Sequence, residues 1–486
     1  MVDIKGNKIH AGEASIKRFL LEINKGSVKV CVWKSSDRWR EGIAGTTDVD
    51  LLVEPEFFET AVKNLKNDRW FQVTAEPWRR FDGVVDLVSY QSGFTQHLHL
   101  HNRIVSGEKL VKSFSPDFTS LYLTSAQKQG YPYFVKPELE FITFILRMSL
   151  KLGWRDFGRV IKKRNKEAFI KMFIGEYNEL KNRINPSDLQ TVLREPEFNP
   201  IPSQIIQKAY EDLSSLSFSD IWKIRKAINH WRRITGFKLI TRTIMRRAMK
   251  KFLNVGKPLT LGGICIAVCG ADGSGKTTLV SALKTELEKQ VKVRSYYLGG
   301  SSRQSSLIRS FFRMITLPFY LLVRKFFKIT GNRSAANLAD NFYSKIDGFM
   351  MDRDKRQRLK MGRRNEQGGG ITIYDRFPLF SPYGDGLSGE SGIGEEDEPD
   401  IIVLIEVSPS VAKERRPYDS KERLMQKVKA FNHFGSEKGT YMEKIFRLDA
   451  NNTTESNVSL VLQHLNNVIF AKNEKANQIK FRQGDF

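Results

Sequence analysis

The sequence has few of the features that would place it outside the cytoplasm or within a membrane. Its 486 residues include only three cysteines, Cys31, Cys265 and Cys269, all in apolar runs. None of them has the spacing of a disulfide scaffold or a zinc site, so we expect reduced, buried thiols. The first 30 residues carry scattered charges and no apolar segment, so we expect no secretory signal. The most apolar stretches, 261–271 and 314–323, are shorter than the roughly 20 residues that span a bilayer.

Acidic residues are scarce in two long stretches. The chain has 79 Lys and Arg against 54 Asp and Glu, a formal charge of +25, and no acidic residue occurs in 221–271 or 289–339. The first stretch predicts two basic amphipathic helices separated near Gly236. The second mixes phenylalanine with Arg and Lys over 307–328. Three interpretations stay open: solvated helix faces over an ordinary core, an anionic membrane surface, or nucleic acid, which is less favoured because no reading motif accompanies the charge.

The strongest motif is a phosphate-binding loop. Residues 270–277 fit the pattern G-x-x-x-x-G-K-[ST], after a buried-strand run at 264–269 and before helical periodicity over 277–289. Glycines let backbone amides converge on phosphate oxygens, and a helix N-terminus favours negative charge. We expect the lysine to reach the β- and γ-phosphates of ATP and the adjacent threonine to hold Mg²⁺. The predicted nucleotide-binding residues are Gly270, Gly273, Ser274, Gly275, Lys276, Thr277 and Thr278.

The segments that follow predict an α/β fold. Apolar strands are predicted at 291–297, 371–374, 401–407 and 444–448, and a final helix at 457–469. Strands alternating with helices after a phosphate loop indicate a doubly wound parallel sheet with its site at the carboxyl edge. Asp375 and Arg376 follow one of these strands, so we expect them at that edge. The Gly/Ser-rich acidic stretch 395–400 predicts a mobile loop.

Residues from about 264 to 470 resemble the thymidylate kinase-like branch of P-loop nucleoside monophosphate kinases. The resemblance rests on Asp-Gly-Ser-Gly-Lys-Thr-Thr in the loop, on Asp-Arg-Phe at 375–377, on the run from Pro399 to Ala412 and on Arg-Leu-Asp-Ala at 447–450. One difference is at 378–386, where Pro-Leu-Phe-Ser-Pro-Tyr-Gly-Asp-Gly replaces a segment that ends in Tyr-Gln-Gly and helps to hold thymine. Thymidylate is therefore not the expected acceptor, and the match is closer to divergent relatives, some of which occur with polysaccharide-assembly genes.

The resemblance also implies roles for particular residues. Asp375 would act on Mg²⁺ or on the acceptor, Arg376 would bind acceptor phosphate, and Asp272 would lie near a sugar hydroxyl. A lid over 413–421 would bring its catalytic arginines onto the transferring phosphoryl group; these are Arg415 and Arg416. General chemistry agrees, because phosphoryl transfer needs cations around the equatorial oxygens and a carboxylate near the metal.

The N-terminal part has a second pattern of acidic residues. A strand-like run at 28–33 leads to Ser35 and Ser36, and Asp48 and Asp50 then alternate on one strand face, where they could share a divalent metal. Residues 15–110 thereby resemble the α+β nucleotidyltransferase fold, with activity or a binding remnant left open. Its third carboxylate would be Asp86, or its place would be taken within 97–101. The alternating imidazoles there could bind a transition metal, or simply be hydrogen-bonded on the sheet; they are His97, His99 and His101.

These patterns combine into three predicted domains: 1–135, nucleotidyltransferase-like; 136–258, helical, basic and bridging; and 259–486, thymidylate kinase-like. The predicted activity is Mg²⁺-dependent transfer of the γ-phosphoryl group of ATP to a nucleotide or to a sugar-containing or phosphorylated acceptor. Two alternatives stay open: an ATP-binding assembly protein at a membrane surface without kinase turnover, and a nucleic-acid-associated ATPase. We expect a cytoplasmic protein, with peripheral contact to the inner membrane face as an open possibility. The sequence does not indicate an oligomeric state.

Overall fold

The computed structural model describes residues 4–75, 80–107, 111–128, 132–151, 171–252, 256–299, 307–377, 398–433 and 442–483. The chain divides into two compact units, Met1–Lys257 and Pro258–Phe486. The first unit contains both N-terminal domains of the sequence-based division, and that three-part division stays a prediction. None of the helices that the structure describes combines the length and apolar character needed to cross a membrane.

The first unit is built on a mixed seven-stranded sheet. Its strands are β1 (Val30–Val32), β2 (Val49–Val53), β3 (Phe71–Val73), β4 (Val84–Ser89), β5 (Gln96–His101), β8 (Gln127–Lys128) and β9 (Tyr133–Phe134), with β6 (Ser106–Gly107) and β7 (Lys112–Phe114) forming a separate ribbon. The order across the sheet is β3-β4-β5-β2-β1-β9-β8. Strand β2 lies antiparallel to β1 and parallel to β5, which lies antiparallel to β4.

The helices of this unit cover both faces of the sheet. They are α1 (Ile4–Ile23), α2 (Trp39–Ile43), α3 (Phe58–Asn67), α4 (Thr119–Ser125), α5 (Pro137–Lys151), α6 (Ile174–Arg183), α7 (Pro186–Val192), α8 (Ser203–Glu211), α9 (Phe218–Ala227) and α10 (Gly236–Phe252). Because side chains alternate along a strand, Leu51 packs with α1 and α3, whereas Leu52 packs with α5 and the helices that follow it. The sheet face of Leu52 also carries Asp48 and Asp50.

The second unit is a five-stranded parallel sheet between helices. Its strands are β10 (Ile264–Gly270), β11 (Val293–Tyr297), β12 (Ile371–Asp375), β13 (Ile401–Glu406) and β14 (Ile445–Asp449). Its helices are α11 (Lys276–Leu287), α12 (Leu307–Ile329), α13 (Arg333–Gln367), α14 (Pro409–Arg415), α15 (Lys421–His433) and α16 (Thr454–Gln483). The strand order is β11-β12-β10-β13-β14. Strand β10 is fully buried, and β13 is buried except at its last residue, Glu406, which explains their long apolar runs.

This order places the sequence motifs together. Strand β10 is central, and the chain continues to strands on either side of it, so the crevice at its carboxyl end is the expected ligand position of a doubly wound sheet. The structure confirms the mixed α/β class with a parallel sheet. The segment 378–386, where the sequence departs from thymidylate kinases, and most of the acidic stretch, 395–397, lie outside the described residues.

Candidate active site

The phosphate-binding loop joins β10 to α11. Gly270, Gly273 and Gly275 have φ values of 149°, 85° and 92°, a region that residues with a Cβ atom rarely adopt. A Cβ on Gly270 would also come within 2.7 Å of the carbonyl oxygen of Ile405. The glycines therefore allow the chain to turn sharply between a buried strand and the first turn of α11, which begins at Lys276. This geometry directs backbone amides and a helix N-terminus into the crevice.

Lys276 and Thr277 are the first two residues of α11. Lys276 is 5% exposed, and its ammonium donates to the carbonyl oxygens of Gly270 at 2.8 Å and Ala271 at 2.6 Å. Burial, together with the nearby charge of Arg376, lowers its pKa to about 8. The ammonium group is thus bound to carbonyl oxygens of the loop. A phosphate group, which is more strongly negative, would compete with these carbonyl groups for the ammonium.

Asp375 ends β12, directly beside β10, with which it pairs at Val268. The Thr277 hydroxyl donates to Asp375 Oδ2 at 3.0 Å, and burial raises the pKa of this carboxyl group. Its other oxygen, Oδ1, is buried and has no hydrogen-bond partner among the described residues. A hydroxyl and a carboxylate held together, with one carboxylate oxygen unused, fit the oxygen ligands that Mg²⁺ requires.

Asp272 lies in the loop between two cations. Its Oδ1 is 3.1 Å from Arg376 Nη2, and its Oδ2 accepts from Lys427 of α15 at 2.8 Å. Burial would raise the pKa of Asp272, but the hydrogen bond from Lys427 and the charge of Arg376 hold it at about 2. Arg376 follows β12 directly with a φ of 66°, and its side chain reaches the loop at Asp272. The structure therefore brings Asp272, Asp375 and Arg376 together and adds Lys427, which the sequence analysis missed.

The two arginines of the predicted lid lie at the end of α14. Arg415 donates to the carbonyl oxygens of Gly273 at 3.2 Å and Ala450 at 3.1 Å, so it already contacts the phosphate loop. Arg416 follows the helix and is exposed. Arg358 of α13 donates to the carbonyl group of Tyr297, at the carboxyl end of β11. This second residue missed from sequence adds another cation at the same sheet edge, and no motif marks it.

The first unit contains a separate acidic and histidine cluster. His97 Nδ1 lies 2.7 Å from Asp48, and His99 bridges Asp50 at 3.2 Å and Asp86 at 3.1 Å through its two ring nitrogens. The sequence left the third polar position open between Asp86 and the histidines. In the structure both Asp86 and the histidines belong to the cluster, because β5, which carries the histidines, lies between β2 and β4, and β4 carries Asp86.

Lysines complete this cluster. Lys34 Nζ is 2.9 Å from Asp50, and Lys257 Nζ is 2.9 Å from Asp86 and 3.1 Å from His97 Nε2. Because His97 Nε2 accepts from Lys257, its other nitrogen donates to Asp48 and the ring is neutral. Burial accordingly lowers the pKa of His97 to about 4. The sequence analysis also missed Lys34 and Lys257, although Lys34 lies only two residues after β1.

The protonation state of His99 decides the charge balance. Both of its nitrogens face carboxylates, so both donate; burial opposes the charged form, but Asp50 and Asp86 raise the pKa of His99. Burial would likewise raise the pKa of Asp50, but Lys34 and the imidazoles hold it well below its usual range. The carboxylates of Asp48, Asp50 and Asp86 therefore meet the His99 imidazolium and the ammonium groups of Lys34 and Lys257. A third lysine, Lys112, lies near enough to interact with Asp50 and Asp86, and burial lowers its pKa to about 8.

The predicted metal ligands can be tested against this arrangement. Two groups bring three ligand atoms within 4.8 Å of one another, Asp48 with His97 and His99, and Asp50 with His99 and His101. These donors suit a transition metal. However, a divalent cation at Asp50 would compete with Lys34 for the same oxygen and would require His99 to lose a proton. The carboxylates of the cluster are thus already compensated by cations of the chain itself, the lysines and the His99 imidazolium.

In the serine segment after β1, the amide and hydroxyl groups of Ser36 already have hydrogen-bond partners within the chain. Ser35 has a φ of 53°, and the Ser36 amide donates to Glu140 Oε1 of α5 at 2.9 Å. The Ser36 hydroxyl donates to the other Glu140 oxygen and accepts from Arg183 at 2.7 Å. In the nucleotidyltransferase pattern this turn would approach a triphosphate. In this structure the Ser36 amide instead donates to the buried carboxylate of Glu140.

Comparison with known proteins identifies solved structures with partial similarity. A deoxyadenosine kinase from M. mycoides with bound dATP is 18% identical, over 42% of this chain and 99% of that one, with a TM-score of 0.26. The same kinase with dCMP and a flexible dCDP bound is 16% identical, over 42% of this chain and 100% of that one, with a TM-score of 0.25. No protein-family profile and no curated protein matches the chain.

Proposed function

We propose that the second unit is a Mg²⁺-dependent phosphotransferase that moves the γ-phosphoryl group of ATP to a nucleotide or to a sugar-containing or phosphorylated acceptor. The observation that carries the proposal is the hydrogen bond of 3.0 Å between Thr277 and Asp375, beside the buried Lys276. A loop that only bound phosphate would not need a carboxylate at this point, because a carboxylate repels phosphate unless a metal ion lies between them.

The remaining residues have roles that follow from their positions. The loop amides bind the phosphates, and Lys276 exchanges its carbonyl partners for phosphate oxygens. Thr277 and Asp375 would hold Mg²⁺, which neutralises phosphate charge during transfer. Arg376 and Arg415, at the carboxyl edge of the sheet, would bind acceptor or transferring phosphate. Asp272 holds Arg376 and Lys427 in place, and this role differs from the sugar contact that the resemblance implied.

Two substitutions of Thr277 test the proposal. Thr277→Val removes the hydroxyl group at nearly constant size and should lower acceptor-dependent ATP consumption by about 10²-fold or more, the usual effect of losing one preorganised polar group. Thr277→Ser keeps the hydroxyl group and should remain within a few-fold of wild type. The assay is a screen of ATP with nucleoside monophosphates, sugar phosphates and lipid-linked sugars. If no acceptor stimulates ATP consumption, or if valine and serine behave alike, the proposal fails.

The pH dependence of catalysis should reflect Lys276. Its pKa of about 8 in the free enzyme means that the ammonium is charged below this pH and neutral above it. We therefore expect kcat/KM for ATP to fall as the pH rises through about 8, because kcat/KM reports ionisations of the free enzyme. The value of kcat should persist to higher pH, since bound phosphates stabilise the ammonium form. Initial rates across this range, at saturating acceptor, measure both. A kcat/KM that stays flat to pH 10 would contradict this role of Lys276.

We propose a structural role for the histidine and aspartate cluster of the first unit, in place of nucleotidyl transfer. Two contacts support this: Glu140 binds the Ser36 amide, and Lys34 binds Asp50. Both positions would have to be vacated for a nucleoside triphosphate and its metal. The stability measurements on Asp50 described in the Discussion test this proposal.

A further inference from the structure

Helices α12 and α13 form an antiparallel pair whose polar residues face inward. Arg309 is 4% exposed and binds Asp347 through two nitrogens, at 3.0 and 3.2 Å. Further along, Arg324 lies 3.0 Å from Asp340, which also accepts from the Tyr320 hydroxyl at 2.6 Å. These contacts join α12 to the first half of α13, so the face that each helix turns to the other there is the polar one.

The apolar residues of α12 lie on its opposite face. With about 3.6 residues per turn, positions 311, 315, 319, 322, 326 and 329 fall on the side away from 309, 313, 320 and 324. The six residues on the outer side are between 56% and 76% exposed: Phe311, Ile315, Phe319, Leu322, Phe326 and Ile329. On α13, Leu338, Phe342 and Phe349 are likewise 68% to 71% exposed and lie opposite Asp340 and Asp347. We call these nine residues the outer face of the hairpin.

Positive charge borders this outer face. Residues 307–351 contain seven Lys or Arg and only two acidic residues, Asp340 and Asp347, both of which are used between the helices. Lys325, Lys328, Arg333 and Lys345 are exposed, and none has an acidic partner within 4 Å among the described residues. An apolar stripe bordered by unpaired cations is the composition of a helix that lies in the interface of an anionic bilayer.

We propose that the α12–α13 hairpin docks on an anionic membrane surface. Its exposed phenylalanine, leucine and isoleucine side chains enter the boundary between headgroups and acyl chains, and the bordering lysines and arginines bind lipid phosphates. Charge selects this partner over a second copy of the chain, because two copies would bring the same uncompensated cations together. The proposal goes beyond phosphoryl transfer and does not depend on it.

Vesicle flotation of the full-length protein tests the proposal. At low salt the wild type should float with vesicles of phosphatidylglycerol and phosphatidylcholine in equal parts, and much less with phosphatidylcholine alone. Replacing Phe319 and Leu322 together, as Phe319→Asp with Leu322→Asp, should abolish flotation. Replacing Lys325 and Lys328 by glutamine should weaken the partition coefficient by about 25-fold, since each cation near an anionic surface contributes about fivefold. Raised salt should weaken it further.

Two control variants make the outcome specific. Phe237→Asp changes an 81% exposed phenylalanine on α10, another basic amphipathic helix, and should float like wild type. Lys276→Ala should also float normally, so failure of docking and failure of phosphoryl transfer are distinguishable. Wild-type protein that stays unbound at low salt, or flotation that only Phe237→Asp abolishes, overturns the proposal. A dimer interface would overturn it too. In that case sedimentation shows a dimer, the double variant Phe319→Asp with Leu322→Asp dissociates it, and none of the proteins floats with vesicles.

Discussion

Lys276→Ala is expected to lower acceptor-dependent ATP consumption by about 10²- to 10³-fold, the range observed when one preorganised donor to a developing charge is removed. The reason lies in the position of the ammonium group. It is buried at the start of α11 and donates to two loop carbonyl groups, so it can transfer to phosphate with little cost in conformational entropy. Alanine keeps the helix but leaves the loop without a cation at this point.

Two matched variants show whether the loss of ATP consumption is due to the ammonium group at this position. Lys276→Arg keeps the positive charge, but its planar guanidinium group does not match a site shaped for an ammonium group, so we expect substantial loss here too. Lys284→Ala lies two turns later on α11, where the side chain is 39% exposed and pairs with Glu288. It should leave turnover unchanged, because surface pairs of this kind contribute little. Turnover by Lys276→Ala at the wild-type rate would exclude the phosphotransferase proposal.

Asp50→Ala is expected to destabilise the first unit by about 3 kcal/mol, the lower end of the range for removing one partner of a buried ion pair. Asp50 is 9% exposed and contacts Lys34, His99 and His101 within 3.2 Å. Without it, Lys34 and the His99 imidazolium lose their shared anion. The lower end applies because the Lys34 side chain is still 18% exposed and regains some hydration.

Tryptophan fluorescence during urea unfolding measures this effect in the first unit. All seven tryptophans lie between Trp33 and Trp231, and the Trp33 ring is 5.3 Å from that of His101. Asp48→Ala is the matched control: this carboxylate is 40% exposed, and its loss should cost less than about 1 kcal/mol.

EDTA added to the wild type distinguishes the structural role from a metal site. If lysines balance the cluster, the unfolding midpoint should not move. A lower midpoint with EDTA would mean that a bound divalent cation contributes to stability. If the Asp50→Ala protein is as stable as wild type, or more stable, the carboxylates repel one another in the folded protein. They would then be kept close together to bind a ligand. Either result would contradict the structural role.

The sequence predicted the parts of the candidate sites that depend on local spacing. The glycines and the lysine of the phosphate loop lie within eight consecutive positions, and β10 and α11 formed where the apolar pattern indicated. Alternation likewise placed Asp48 and Asp50 on one face of their strand, and the three histidines on one face of β5. Such patterns can be read from sequence because a strand repeats every two residues and a helix about every 3.6.

Contacts between distant segments were decided only by the tertiary structure. Lys427 binds Asp272 across 155 positions, and Glu140 reaches Ser36 across 104. Periodicity in α12 showed that its phenylalanines share a side, but not whether that side turns inward. The inward side was settled by Arg309 and Arg324, whose acidic partners lie on another helix. Spacing along a chain determines which side chains point together, whereas the segment that they meet depends on the path of the whole chain.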